Sequence, residues 1–138
     1  MRRKSYLLTE RAVADLREAR AWSRARWGKE LTNRYFEDLH EGAQYIAQNH
    51  ASFRDRHELA GGTALLLYPI REHYIVYEPL APRLIAIVAV IRQGRDIPAI
   101  LQKWATPIRR ELIEIRGQIQ RGEIGAPART TRKSRRKK

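Results

Sequence analysis

Eight consecutive apolar residues, Leu84–Ile91, form the longest uninterrupted hydrophobic run in the chain. The run falls well short of the roughly 20 residues that a membrane span requires. A strand that is apolar throughout belongs at the centre of a sheet, buried on one face and partly covered on the other. The rest of the chain must therefore supply neighbouring strands and a helical cover. With 43% hydrophobic residues it has the material for a core, which excludes a wholly disordered protein, and 138 residues suit one domain.

The cover is found upstream. Tyr6-Leu7-Leu8 reads as a short strand, and Thr9 follows as a helix N-cap. From Glu10 to Trp27 there is no Pro or Gly, and Val13, Leu16, Ala19 and Trp22 recur at helical spacing. Gly28 breaks the pattern and suits a residue with positive φ. A second helix is expected from about Lys29 to Asn49, with Leu31, Tyr35, Leu39, Ala43 and Ile46 on one stripe. A break this short favours an antiparallel helical hairpin. Residues 50–63 lose periodicity and read as a structured loop ending at Gly61-Gly62. Strands are expected at Ala64–Tyr68, His73–Tyr77 and Leu84–Ile91, with Pro69, Pro79 and Pro82 in the turns.

Beyond the polar turn Arg92–Asp96, the sequence predicts a short helix over Ile97–Trp104. A separate final helix is expected from Thr106 (N-cap) and Pro107 to about Gly122. Its Ile108, Leu112, Ile115 and Ile119 form an apolar seam that must find a surface in this chain or in a partner. The fold class is α+β: an N-terminal strand, an antiparallel helical hairpin packed on a small, mostly antiparallel sheet, a C-terminal helix and a basic tail. The expected organisation is a folded unit over 1–104, an amphipathic helix over 105–122 and a disordered basic tail over 123–138.

Charge narrows the choice of partners. Twenty-eight Lys and Arg face fifteen Asp and Glu, a net of +13. Residues 105–138 hold 11 basic and 3 acidic side chains, so over half of the excess lies in the last quarter of the chain. Such a balance implies attraction to polyanions or to an acidic partner. With no cysteine there is no disulfide, thiolate metal site or thiol nucleophile. No metal-ligand spacing, P-loop or dinucleotide fingerprint occurs, so neither a metal nor a cofactor is expected. The basic start Met1-Arg2-Arg3-Lys4 is followed by Ser5–Thr9, too short and too soon polar for a signal peptide. The expectation is a soluble cytoplasmic protein without a membrane partner.

The order and spacing of several segments resemble the RelE/ParE superfamily of type II toxins, and more closely its ParE-like, plasmid-stabilisation branch. These segments are Tyr6-Leu7-Leu8-Thr9, Ala14-Asp15-Leu16, Trp27-Gly28, Glu58-Leu59, Tyr68-Pro69-Ile70, His73–Tyr77, Val90-Ile91 and Arg95-Asp96-Ile97-Pro98. The resemblance spans about residues 5–103. It implies a toxin that inhibits DNA gyrase by binding and is neutralised by a cognate, acidic antitoxin. The RelE side of the superfamily implies instead ribosome-dependent mRNA cleavage. A third alternative is a basic nucleic-acid-binding domain that has kept the fold and lost toxicity.

Each alternative selects residues. Cleavage needs a proton acceptor, a proton donor and cations aimed at phosphate. Arg54, Arg56, Arg71, Arg92 and Arg95 are the candidate cations, with His57 or His73 as acid or base. The Tyr or His near the chain end that several RelE-like members use is missing, and the indole of Trp104 does not titrate. Read as structure, His73 is a strand residue facing the core and the arginines solvate loops. Gyrase binding needs a surface only, and Arg92 with Arg95 is the first choice; Arg95 could equally pair with Asp96 or a helix C-terminus. The Ile108, Leu112, Ile115 and Ile119 seam suits an antitoxin helix, or folds back on the chain's own sheet. Trp22, Trp27 and Trp104 read as packing residues. The tail residues Arg129, Arg132, Lys133, Arg135, Arg136, Lys137 and Lys138 would add non-specific, salt-sensitive contact with nucleic acid. Deleting residues 126–138 is expected to weaken that contact and flatten its salt dependence while leaving the thermal melt cooperative; a collapsed melt would make the tail structural.

Overall fold

The computed structural model describes residues 5–53 and 58–124. Along the chain lie β1 (Tyr6–Leu8), α1 (Glu10–Asn49), β2 (Leu66–Ile70), β3 (His73–Ala81), β4 (Leu84–Arg92) and α2 (Ile97–Gln120). Short 3-10 turns occur at His50–Ser52 and Glu58–Ala60. The four strands form one sheet in the order β1-β4-β3-β2, with β1 parallel to β4 and the other pairs antiparallel. This is the α+β arrangement expected from the sequence.

Thr9 joins the first two elements. Its side-chain oxygen accepts from the Ala12 N–H at 3.2 Å, capping α1, while its hydroxyl donates to the Val88 carbonyl at 3.1 Å. Its own N–H donates to the Ile87 carbonyl. One fully buried threonine thus ends β1, starts α1 and ties both to β4. Within α1, Gly28 leaves helical geometry at φ 86 and ψ 177 and divides the element into two arms. The arms run back along each other: Arg20 Nη1 donates to Asn33 Oδ1, and Ala12 shares a core cluster with Ala43 and Ala47.

The apolar run becomes β4, covered on both faces rather than one and a half. Ile85, Ile87 and Val90 pack with Ala12, Ala43 and Ile46 of α1. Ala86, Val88, Ala89 and Ile91 pack with Ile97, Leu101, Ile108 and Leu112 of α2. The change of parity at Val88–Ala89 has a direct cause. Val76 pairs with Ala89 but Tyr77 pairs with Ile87, so Val88 is the extra residue of a bulge.

The C-terminal region departs from expectation. Ile97–Trp104 and the segment beginning at Thr106 are one helix, with Pro107 inside it. An interior proline costs about 3 kcal/mol. Burying Ile108 and Leu112 on the sheet returns roughly 1.5–3 kcal/mol each, which is enough to keep the helix continuous. The true N-cap is Asp96, accepting from the Ala99 N–H, with Pro98 in the first turn. Pro69 and Pro79 also lie within strands rather than turns. Pro69 sits on the outermost strand opposite Tyr74, where its missing N–H faces the sheet edge. Pro79 adjoins a second register shift.

A Cβ at Gly28 would meet no atom within 4 Å, so the requirement there is conformational. Gly28→Ala should therefore cost about 1–3 kcal/mol of stability through backbone strain alone. Urea denaturation measures it, and an unchanged midpoint would show that the hairpin turn can re-form without glycine.

Candidate binding site

β1 stops at Leu8, whereas β4 continues to Arg92. The second half of β4 therefore has no strand beside it on that edge. The Gln93 N–H donates to the Glu72 carbonyl, which fixes the alternation and turns the backbone of Val90 and Arg92 away from β3. Asp15 fills part of the opening, its Oδ2 accepting from the Val90 N–H at 3.0 Å. Its Oδ1 accepts from Arg11 Nε and Nη2 at 2.9 and 2.7 Å. Burial raises the pKa of Asp15, outweighing the Val90 N–H and Arg11, both of which lower it.

A groove of about 260 Å³ lies beside this edge. One wall is the α1 stripe Arg11, Asp15, Glu18 and Trp22, spaced four, three and four. The other is α2, with Ile100, Lys103 and Trp104. Arg92 and Arg95 close one end, and His73 lies beneath. The cations rest on indole faces. Arg92 and Arg26 each lie 4.9 Å from the Trp22 ring centroid, Arg11 lies 4.7 Å from that of Trp104, and Lys103 Nζ 5.9 Å from the same ring. Arg11 is paired with Asp15; among the described residues Arg26, Arg92, Arg95 and Lys103 form no ion pair.

His73 is 3% exposed. The Tyr35 hydroxyl accepts from the Glu72 N–H at 3.1 Å and shares a hydrogen bond with His73 Nδ1. Burial, with a smaller contribution from the Arg92 charge, lowers the His73 pKa from 6.5 to about 4. Burial likewise pushes the Tyr35 hydroxyl up to about 12. The pair is neutral at pH 7 and closed to solvent, which agrees with the structural reading of His73 as a core-facing strand residue.

The groove brings together Arg92, Arg95 and His73 from the sequence candidates. Arg71 is directed elsewhere: it lies in the β2–β3 turn, pairs with Asp38 and rests on the Tyr35 ring. Arg54, Arg56 and His57 lie outside the described residues, as does the basic tail from Arg129 to Lys138. Of the seam, Ile108, Leu112 and Ile115 are buried within the chain and Ile119 is half-buried. Of the two surfaces left open for that seam, the chain's own sheet takes Ile108 and Leu112. Trp22 and Trp104, read from sequence as packing residues, are only partly buried and wall the groove. Arg11 and Lys103 carry no site signal of their own in the sequence, and Asp15 enters it only within the segment Ala14-Asp15-Leu16, although the regular spacing from Arg11 to Trp22 is visible there.

A helical hairpin over a four-stranded, mostly antiparallel sheet, with a basic and aromatic groove at the end of a central strand, defines a small α+β protein with one candidate site in that groove. Residues 6–97 match the family described as ParE toxin of type II toxin-antitoxin system, parDE. Over 93 residues the chain is 31% identical to Toxin ParE of Escherichia coli, covering 67% of this chain and 88% of that one. A chain of the chromosomal ParDE TA system from P. aeruginosa shares the fold at a TM-score of 0.52 and 16% identity, over 63% of this chain and 92% of that one. The chain belongs to the ParE toxin family of type II toxin–antitoxin systems. Among the described residues no helix is long and apolar enough to cross a membrane.

The buried imidazole gives a pH signature. Between pH 6.5 and about 4 the unfolded chain binds a proton at His73 that the folded chain does not, so stability rises with pH and is lost as pH falls through this window. The difference is on the order of 3 kcal/mol, and the raised pKa of Asp15 acts in the opposite sense at the acid end. His73→Gln keeps a hydrogen-bond partner for Tyr35 and removes the titration. It should flatten the urea midpoint against pH across this window, and an unaltered slope would mean that His73 titrates normally in the folded chain.

Proposed function

We propose that this chain is the toxin of a type II pair that inhibits DNA gyrase by binding it, and that a cognate acidic antitoxin neutralises it. The observation that carries the reading is the groove at the end of β4. Among the described residues, the histidine beside its cations Arg92 and Arg95 is His73, which is buried, neutral and held by Tyr35. That arrangement supports target contact by binding and counts against the alternative of ribosome-dependent mRNA cleavage, which needs an acid and a base within reach of the ribose. The family match to ParE toxins points the same way.

The antitoxin would meet α2 where apolar side chains stay accessible. Ile119 is half-buried, and Ile113 is 65% exposed between Arg109 and Arg116. Ile113 and Ile119 lie about 120° apart around α2, so an acidic amphipathic helix would dock on Ile113 with Arg109 beside it. The tail residues from Arg129 to Lys138 act as an accessory, adding non-specific phosphate contact, and the site of action is the cytoplasm.

Induction of the chain in a bacterium lacking the antitoxin should halt growth with trapped double-strand DNA breaks and an SOS response. The purified chain should accumulate cleaved plasmid in the presence of gyrase. Codon-phased mRNA cuts without DNA breaks would overturn the gyrase reading in favour of the nuclease. Growth unaffected by induction would favour a non-toxic nucleic-acid-binding domain.

A further inference from the structure

We infer that the groove between Trp22 and Trp104 binds the phosphodiester backbone of a DNA strand, so that the toxin touches DNA directly. The inference rests on the gyrase reading only in naming DNA as the nucleic acid.

The first support is the state of the cations. Arg92, Arg95 and Lys103 line one groove, Arg26 lies over the ring of its wall residue Trp22, and none of the four forms an ion pair among the described residues. Arg26 and Arg92 each lie over the Trp22 ring, and Lys103 lies near that of Trp104. A guanidinium held on an indole has already lost much of its rotamer freedom, and its N–H edge stays available for an anion. Less entropy then remains to be lost on binding.

The second support is the carboxylate inventory. Of the two carboxylates that line the groove, Asp15 is engaged by Arg11 and the Val90 N–H, which leaves the exposed Glu18 against Arg92, Arg95 and Lys103 and an excess of positive charge.

The third is the pattern of charge. A single carboxylate would leave most of these cations unmatched; successive phosphates would not, and indole walls suit the sugars and bases between them.

The test uses the full chain without gyrase. Fluorescence anisotropy with a short labelled DNA duplex, its single strand and an RNA strand of the same sequence is recorded over a salt series. Arg92→Ala combined with Arg95→Ala should weaken DNA binding about tenfold or more at low salt and reduce the slope of log K against log salt by about two. Arg34→Ala combined with Arg83→Ala removes the same charge elsewhere on the surface and should change binding less than about threefold. Should loss of Arg92 from Trp22 disturb the melt, Arg95→Ala with Lys103→Ala, both exposed positions, replaces it with the same expected change in slope.

Equal effects of the groove and control variants overturn the inference. So does binding of RNA without DNA, or of a polyglutamate peptide in preference to DNA. The gyrase reading fails separately: a wild-type chain that binds DNA through the groove yet leaves gyrase untouched removes that reading and keeps this one.

Discussion

Thr9 holds the rest of the architecture in place. By capping α1 with its oxygen while donating to the Val88 carbonyl, it forces the chain out of the sheet after three residues of β1. A longer β1 would have paired with Val90 and Arg92, satisfying their backbone groups and closing the groove. Because the strand stops, the open edge must be satisfied by something else, and the Asp15 carboxylate does so from the second turn of the same helix. The cavity at the end of β4 is thus a consequence of a helix cap about 80 residues away in sequence. The cap also fixes the rotation of α1, which decides that Arg11, Asp15, Glu18 and Trp22 face the groove while Ala12, Ala19 and Ser23 face inward.

Two kinds of positive charge coexist in this chain, and they differ in what they can do. Arg11, Arg71, Arg116 and Arg121 are paired with carboxylates. Most of these pairs are solvent-exposed, worth little energetically, and already neutralised locally. Arg11 and Arg71 rest on aromatic rings as well, but Arg26, Arg92 and Lys103 have among the described residues an aromatic face and no carboxylate, and a ring attracts a cation without cancelling its charge. Net charge therefore understates the contrast between one surface and another. A modest number of unneutralised cations around one concavity exerts more pull on an anion than the same number dispersed among acidic neighbours. The neutrality of His73 and Tyr35 beneath belongs to the same design. A protonated imidazole below Arg92 would add repulsion in a buried place, and the hydrogen bond between Tyr35 and Nδ1 holds the neutral ring in position.

Much of the scaffold was legible because local signals carry it. Thr9 before an unbroken helical stretch, Gly28 in a short break and the eight-residue apolar run each point to one structure without help from distant residues. What could not be read was decided by tertiary contact. Pro107 marks a boundary by its own chemistry, yet the sheet surface beneath Ile108 and Leu112 overrides it and the helix continues. The bulge at Val88 has no sequence mark at all, and it determines which of the eight apolar side chains meet α1 and which meet α2. Arg92 and Arg95 were identifiable as a turn following the central strand. Their partnership with Trp22 and Lys103 was not, because stacking across 70 residues of chain leaves no periodicity behind. The stripe from Arg11 to Trp22 was readable in principle, as polar and aromatic residues at helical spacing beside the core positions.

The extent of the family match bears on how the groove is assembled. The matched residues, 6–97, include Thr9, the α1 stripe and Arg92 with Arg95, but stop at the first residue of α2. Ile100, Lys103 and Trp104 lie beyond it, so the second wall of the groove is contributed by the part of the chain outside the shared unit. That wall exists only because α2 folds back and buries Ile97, Leu101, Ile108 and Leu112 on β4. Held away from the sheet, the same helix would leave Arg11 without the Trp104 face and open the groove to a flat, wet surface where ionic attraction is weak. The apolar seam of the C-terminal helix and the charge of the groove are therefore one arrangement: hydrophobic burial on the inner side of α2 is what sets an indole and an ammonium opposite Trp22 and Arg92.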